Sequence, residues 1–139
     1  MTALPQTVAD HDAWVQSFRP LDNRSGSLVT TTQVSSASSQ HVDVLIDGLL
    51  FESDALAARL SLSSSACDPA ALVLRAYEDL GDGWLNALSG HFAILVHDRR
   101  RERFVALRDR MGQHPLFHTA AAGTQLFSSS ILFRAQRRV

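Results

Sequence analysis

The segment Gly90–Asp109, GHFAILVHDRRRERFVALRD, decides the fold of this 139-residue chain. It contains two apolar runs on either side of the charged stretch Arg99–Glu102 (RRRE). Apolar runs of this length, separated by a short polar turn, are typical of two antiparallel strands. The segment therefore predicts a β-hairpin, and we interpret the arginine run as its solvated turn.

Further strands are predicted on both sides of this hairpin. Leu28–Val34 (LVTTTQV) is rich in β-branched residues, and His41–Gly48 (HVDVLIDG) alternates apolar and polar residues up to its final glycine, as a half-buried strand does. Between them, Ser35–Gln40 (SSASSQ) is interpreted as a polar loop. After the central hairpin, residues 114–130 predict a second hairpin that turns near Gly123.

Three helices are predicted between these strands. Ser53–Leu62 (SDALAARLSL) predicts a helix that is capped by its first residue. The next helix is expected to have Asp68 as its N-cap, Pro69 in its first turn and Gly81 at its end. Asp82–Gly90 (DGWLNALSG) predicts a short third helix.

The order of these elements predicts an α+β fold. Two strands, the helices and then a meander of four strands favour an antiparallel sheet with helices packed on it. Residues 1–27 contain proline and glycine breakers and predict no regular structure. Because 139 residues suffice for one core, we expect a single domain over residues 1–139.

Composition argues against several classes of partner. The formal net charge is −1, so the chain as a whole does not attract nucleic acid or a membrane surface. Cys67 is the sole cysteine, which rules out an internal disulfide. The N-terminus lacks the pattern of a signal peptide, and no window approaches the roughly 18 apolar residues of a membrane span. We expect a cytoplasmic protein.

The histidines and the single cysteine are the candidates for a metal site or a nucleophile. His114 and His118 are four apart, but Pro115 disfavours one helical face, and in a strand their side chains would lie about 13 Å apart. Cys67 would need an activating base and is interpreted as an incidental thiol. A Gly-x-Ser-x-Gly turn is absent. We expect no metal and no other cofactor.

The second half of the chain carries an ordered set of motifs. A helix ends in Tyr and Gly, a strand opens with Gly-x-Phe-Ala, an Asp precedes a basic turn, and Arg-Asp-x-x-Gly-x-x-Pro-Leu follows. These are Tyr77 and Gly81, Gly90–Ala93, Asp98–Arg101 and Arg108–Leu116. Over about residues 68–135 the chain resembles the N-terminal glutamine amidotransferase domain of the asparagine synthetase family, which includes β-lactam synthetases and lasso-peptide cyclases. The resemblance implies an N-terminal-nucleophile (Ntn) fold of stacked antiparallel β-sheets flanked by helices, here shortened.

The resemblance also implies where a glutamine pocket would lie. The family's Asn-Gly-Glu segment corresponds to Asp47, Gly48 and Leu49, and Asp68 matches an acidic residue at a helix start. Asp47 then replaces the Asn of the oxyanion hole, and a carboxylate there would repel the developing oxyanion. Leu49 removes an acidic partner of the substrate ammonium group. We expect Asp47, Gly48 and Asp68 to form, at most, a vestigial ligand pocket.

The Arg-Asp-x-x-Gly-x-x-Pro segment is interpreted as framework. Gly112 permits a positive φ angle in the turn, and Pro115 begins the next strand. Arg108 and Asp109 are expected to pair with each other. Together with Arg110, these residues are a candidate surface for contact with a partner domain.

The N-terminus departs from the family pattern. An active member carries Cys directly after the initiator Met, whereas this chain has Thr2. The resemblance further implies an ATP-using synthetase domain, whose Gly-rich phosphate loop the chain lacks. We therefore expect a stand-alone, non-catalytic amidotransferase-like domain.

Three functions follow from this reading. The first is a structural or substrate-presenting role beside a biosynthetic synthetase bound in trans, or as a homodimer. The second is an Ntn amidohydrolase or glutaminase that uses Thr2 as nucleophile after removal of Met1. The third is a module that binds a small, amino-acid-like molecule.

Overall fold

The computed structural model describes residues 6–7, 15–18, 34–63, 68–121 and 124–128. In these residues the chain forms two antiparallel β-sheets and a helical layer, which is an α+β fold as predicted. The strands are β1 (Gln6–Thr7), β2 (Val15–Phe18), β3 (Val34–Ser38), β4 (Val42–Leu50), β5 (Gly90–Asp98), β6 (Arg103–Arg108), β7 (Phe117–Ala121) and β8 (Thr124–Ser128). The helices are α1 (Ser53–Arg59), α2 (Pro69–Asp79) and a 3₁₀ helix (Gly81–Ala87).

The larger sheet has six strands in the order β1-β2-β6-β5-β4-β3. Its centre is the pairing of β4 with β5, which runs without interruption from Val42 opposite Asp98 to Leu50 opposite Gly90. The predicted central hairpin is confirmed as β5 and β6, with Ala93 opposite Arg108. The second predicted hairpin is confirmed as the separate two-stranded sheet of β7 and β8.

The main core lies between the helices and one face of the larger sheet. Every second residue of the central strands points to this face, as the alternation of a strand requires. The buried side chains of this core include Val44, Ile46, Ile94, Val96 and Leu107 on the sheet and Leu56, Leu72, Val73, Ala76 and Trp84 on the helices. Each large apolar side chain buried in this way contributes about 1.5–3 kcal/mol.

The intervening residues of the same strands form what we call the second face of the sheet. Its members include Asp43, Asp47, Ala93, His97, Phe104, Ala106 and Arg108. The ring of Phe104 stacks on Phe127 of β8, with centroids 5.2 Å apart and planes 24° apart. The β7–β8 sheet therefore contacts the second face, and the layers run helices, larger sheet, smaller sheet. This stacking agrees with the expected sheet arrangement.

Two predictions for the N-terminal part were wrong. Val34–Ser38 is strand β3, whereas Ser35–Gln40 was expected to be a loop. Pairing with β4 overrides the weak strand propensity of serine, and the Ser35 and Ser39 hydroxyls donate to carboxylates of the helical layer. β1 and β2 lie in a region expected to be irregular, and the remainder of the Leu28–Val34 strand prediction lies outside the described residues.

The sheet also differs from prediction at two strand ends. β4 continues past Gly48 to Leu50, because the glycine accepts a φ angle of +119° and the ladder with β5 resumes beyond it. The expected four-strand meander is interrupted after Arg108. The turn that follows carries the chain from the larger sheet to the smaller one, so β6 and β7 belong to different sheets.

The helices begin as predicted in position but not in capping. Glu52, with φ of 54°, is the N-cap of α1, and the Ser53 hydroxyl donates instead to the Leu50 carbonyl. Asp68 is the N-cap residue of α2, yet its side chain makes no capping hydrogen bond. Gly81 follows α2 with φ of 56°. In the described part of the chain, none of the helices is long and apolar enough to span a membrane.

Replacing Gly48 with Ala is expected to destabilise the fold by about 2–3 kcal/mol. A Cβ atom at Gly48 would overlap the His91 carbonyl oxygen on β5, and the φ angle of +119° strains any L side chain. The measurement is urea unfolding followed by circular dichroism.

The matched control is Gly83→Ala in the 3₁₀ helix, where an added Cβ meets nothing within 4 Å. This control should lose no stability. Equal stability of the two variants would contradict the close approach of β4 and β5 at Gly48.

Candidate functional site

Three chain segments meet at one end of the larger sheet. They are residues 47–49 at the end of β4, residues 90–93 at the start of β5, and residues 108–114 after β6. We call this region the site end. It contains the residues that the resemblance assigns to the oxyanion hole, together with the Arg-Asp-x-x-Gly-x-x-Pro turn.

The turn at the site end is organised by the Asp109 carboxylate. This side chain is 3% exposed and accepts backbone N–H groups from Gln113 and His114 at 3.0 Å and from Phe92 at 3.3 Å. Gly112, with φ of 62°, closes the turn by donating to the Asp109 carbonyl at 3.0 Å. Burial raises the pKa of the Asp109 carboxyl, but these backbone hydrogen bonds outweigh burial and hold its pKa below the ordinary value.

The expected pair between Arg108 and Asp109 is not formed. The Asp109 carboxylate is occupied by backbone donors, which a turn supplies at closer range than a neighbouring side chain on the opposite face of a strand. The Arg108 guanidinium lies instead over Gly112, where its Cζ is 3.2 Å from the position of an added Cβ. Arg110 and Pro115 are exposed on the turn. Asp109 and Gly112 thus shape the turn, while the contact of this segment with a partner domain stays a prediction.

Asp47 projects from the second face of β4 toward the turn. Its Oδ2 atom is 3.1 Å from Nε2 of His114, although this ring nitrogen is buried and the contact lacks hydrogen-bond geometry. The sequence gives His114 no role beyond a disfavoured metal pair with His118. The His118 ring stacks on Phe127 at 4.8 Å. The turn brings His114 to Asp47 across 67 residues of sequence, a distance over which no local pattern gives a signal.

Asp68 does not share a pocket with Asp47. Its carboxylate accepts a hydrogen bond from the Ser35 hydroxyl. Ser35 is paired with Ile46, which is 1% exposed in the core beneath the helices. Because successive strand residues point to opposite faces, Asp47 leaves the sheet on the other side. The structure therefore does not assemble Asp47, Gly48 and Asp68 as one pocket.

Apolar side chains are exposed at the site end. Leu49 is 65%, Phe51 44% and Met111 78% exposed, and they are the large hydrophobic residues that stand out as exposed in the described ranges. The edge of the Phe51 ring contacts His91 at 4.8 Å between centroids. Thr2 and Cys67 lie outside the described residues, so the roles assigned to them stay predictions.

A second buried carboxylate closes the opposite end of the central hairpin. Asp98 accepts the Tyr77 hydroxyl at 2.8 Å and the Arg101 backbone N–H at 2.9 Å, and Arg103 donates to the Tyr77 oxygen at 2.8 Å. Burial opposes ionisation of Asp98, but these hydrogen bonds outweigh it and hold its pKa below the ordinary value. Burial, followed by the Asp98 hydrogen bond, raises the pKa of Tyr77. Tyr77 and Asp98, which both belong to the ordered motifs of the sequence, thus contact each other in the fold.

The comparison with known families agrees with this framework. Residues 28–136 match the family model described as a glutamine amidotransferase domain. This chain belongs to the glutamine amidotransferase domain family. It is 26% identical over 121 residues to asparagine synthetase [glutamine-hydrolyzing] 2 of Bacillus subtilis, covering 84% of this chain and 14% of that protein.

Two further relatives match shorter parts of the domain. A probable asparagine synthetase [glutamine-hydrolyzing] of Dictyostelium discoideum is 40% identical over 53 residues, which are 38% of this chain and 9% of that protein. Amidase chry2 of Gibberella zeae is 25% identical over 95 residues, covering 65% of this chain and 14% of that protein. The domain thus spans about a seventh or less of these relatives. No solved structure matches it significantly.

Replacing Asp109 with Asn is expected to lower the free energy of unfolding at pH 7 by about 1–3 kcal/mol, because an amide nitrogen then faces backbone donors. The pKa of Asp109 is depressed in the folded state, so its contribution is complete above the unfolded pKa of about 3.9. The contribution is lost as the pH falls through the folded pKa. The stability difference between the domain and Asp109→Asn should therefore shrink below about pH 4.

Urea midpoints measured between neutral pH and about pH 3 give this comparison. Asp82→Asn, at an exposed position, is the control and should change stability by less than about 0.5 kcal/mol at any pH. A stability difference for Asp109→Asn that stays constant with pH would contradict the role of an ionised Asp109.

Proposed function

We propose that this amidotransferase-like domain has no glutaminase activity of its own. It serves as a structural or substrate-presenting partner of an ATP-dependent, amide-forming synthetase in a biosynthetic pathway. The observation that carries the proposal is the Asp47 carboxylate, 3.1 Å from His114, at the position where the resemblance places an oxyanion-stabilising Asn.

The carboxylate of Asp47 is unsuited to glutamine hydrolysis for an electrostatic reason. Attack on an amide places negative charge on the carbonyl oxygen, and an oxyanion hole must donate hydrogen bonds to that oxygen. An ionised carboxylate has no proton to donate. Two like charges about 4 Å apart repel by about 4 kcal/mol at an effective dielectric constant near 20, which corresponds to roughly a thousandfold in rate.

Leu49 stands where glutamine binding would need a second functional group. The resemblance places an acidic side chain here as partner of the substrate's ammonium group. The side chain of Leu49 is apolar and mostly exposed, so it offers neither charge nor a hydrogen bond to an amino acid. The two substitutions act on the reacting oxygen and on the substrate's anchor, and both weaken catalysis in the same direction.

The exposed apolar side chains at the site end support a partner role. Leu49, Phe51 and Met111 lie around the same sheet end that holds Asp47. Clustered apolar surface of this kind marks contact with another protein. The relatives named asparagine synthetase are much longer than this chain. The proposed synthetase partner would cover this surface.

The first test is ammonia release from L-glutamine by the purified domain. We expect the background rate, because the oxyanion position carries a carboxylate. Thr2→Ala is the control for an N-terminal nucleophile and should behave as the unchanged domain does. Release above background that disappears in Thr2→Ala would establish the amidohydrolase function and contradict the proposal.

The second test is recovery of a partner from the native host with the tagged domain, followed by mass spectrometry. We expect an ATP-dependent synthetase, and Met111→Asp should lower its recovery at least about fivefold because it charges the centre of an apolar contact. Arg75→Gln on α2 changes the net charge by the same amount outside the site end and should leave recovery unchanged. A stable self-dimer that excludes any synthetase would contradict the partner proposed here.

A further inference from the structure

The end of the sheet opposite the site end carries three consecutive exposed arginines, Arg99–Arg101. Val42 pairs with Asp98, so the turn between β3 and β4 lies beside the turn between β5 and β6. The backbone N–H of Arg99 donates to the His41 carbonyl at 2.8 Å and joins the two turns. We call this surface the arginine tip and define it as residues 39–41 and 99–102.

The charged side chains of the arginine tip differ in burial. Asp98, beneath the tip, is 1% exposed, whereas the Arg101 side chain that it binds at 3.0 Å is 61% exposed. Asp43 lies behind the tip and is bound to Arg99. Asp98 therefore faces inward beneath Arg101, whereas Arg99 and Asp43, with side chains 42% and 35% exposed, form an ion pair at the surface. Glu102 is the exposed acid within the tip, and Glu78 nearby accepts the Ser39 hydroxyl at 2.6 Å.

The outward guanidinium groups are held in place before any partner binds. Arg99 donates to the carbonyl oxygens of Ser39 at 3.2 Å and Gln40 at 3.1 Å, in addition to the Asp43 contact. Arg101 is fixed by Asp98. A side chain already held in one geometry loses little entropy when it binds a second acceptor. Arg100 is exposed and, among the residues that the structure describes, it contacts no acid.

We propose that the arginine tip binds an acidic segment of a partner polypeptide. Arginine forms bidentate hydrogen bonds with carboxylates, and each guanidinium has five N–H donors, which is more than the contacts of Arg99 and Arg101 use. The four strands that end here span about 14 Å, which is the length of about four extended residues. The surface thus fits a short run of Asp and Glu side chains.

The same observations disfavour two other anions. Single-stranded nucleic acid binds through stacking on a series of exposed aromatic rings, whereas the tip exposes one imidazole, that of His41, and the neighbouring Tyr77 and Trp84 are buried. A phosphate group is cradled by free backbone N–H groups, whereas those of Arg99 and Arg101 are occupied by the His41 carbonyl and the Asp98 carboxylate. Side-chain guanidiniums are the donors that remain.

This inference is independent of the proposed function. The arginine tip and the site end lie at opposite ends of β4 and β5, so a variant of one leaves the other unchanged. The probe is a fluorescein-labelled hexaglutamate peptide, and binding to the purified domain is measured by fluorescence anisotropy at about 50 mM and about 200 mM NaCl. A labelled decathymidylate strand of equal dye content is the second probe.

We expect the hexaglutamate peptide to bind, with weaker binding at the higher salt concentration. Arg100→Gln combined with Arg101→Gln should weaken the binding about tenfold, because two charge-assisted contacts are lost. Arg100→Gln alone should weaken it about threefold without affecting the fold, since this side chain supports no described contact. Arg75→Gln on α2 removes one equivalent exposed charge elsewhere and should leave binding within about twofold.

Three outcomes would overturn the inference. One is absence of hexaglutamate binding at the lower salt concentration. Another is equal weakening by Arg75→Gln and Arg100→Gln, which would show attraction without a defined surface. The third is tighter binding of decathymidylate than of hexaglutamate with the same dependence on Arg100, which would assign the tip to nucleic acid. Unfolding midpoints of every variant separate loss of binding from loss of fold.

Discussion

The buried carboxylate of Asp109 is the interaction on which the arrangement of the two sheets depends. A carboxylate removed from water is costly unless hydrogen bonds compensate it, and here the backbone of Phe92, Gln113 and His114 supplies them. One side chain thereby ties the start of β5 to the turn that leads into the smaller sheet. At the far end of the hairpin, the Asp98 carboxylate accepts hydrogen bonds from Tyr77 of α2 and from Arg101, and so ties the helix to the β5–β6 turn. Each end of the central hairpin thus contains a buried carboxylate, Asp109 or Asp98, that accepts hydrogen bonds from other parts of the fold.

The chemistry at the site end follows from the same turn. Since Asp109 fixes the backbone of His114, the imidazole lies against Asp47 and the two polar groups face each other within the fold. By the resemblance, Asp47 and Leu49 stand where the family pattern has Asn and Glu, beside a turn that keeps the family's Arg-Asp-x-x-Gly-x-x-Pro motif. The turn motif is thus kept, while two positions that the resemblance assigns to glutamine binding carry other residues.

The local elements were predictable because their physical causes are local. The period of the apolar residues predicted β4, β5, β6 and α2, and Pro69 and Gly81 marked the limits of α2. The serine-rich strand β3 was not predictable, because its pairing with β4 stabilises it and its own propensity does not. Asp68 is the N-cap residue as predicted, but its side chain forms no capping hydrogen bond, since it accepts one from the Ser35 hydroxyl of a distant strand.

The α+β class, the central hairpin and the family could be predicted from the sequence. The alternation of apolar and polar residues, the proline and glycine breakers and the order of the motifs are local features, which can be recognised before any long-range contact is known. Only the tertiary structure decided which side chains meet. It separated Asp47 from Asp68 by placing them on opposite faces of one sheet, brought His114 to Asp47, and gave Asp109 backbone partners in place of Arg108. The physical reason is that strand register and the path of a turn set these contacts, and both depend on packing between residues far apart in the chain.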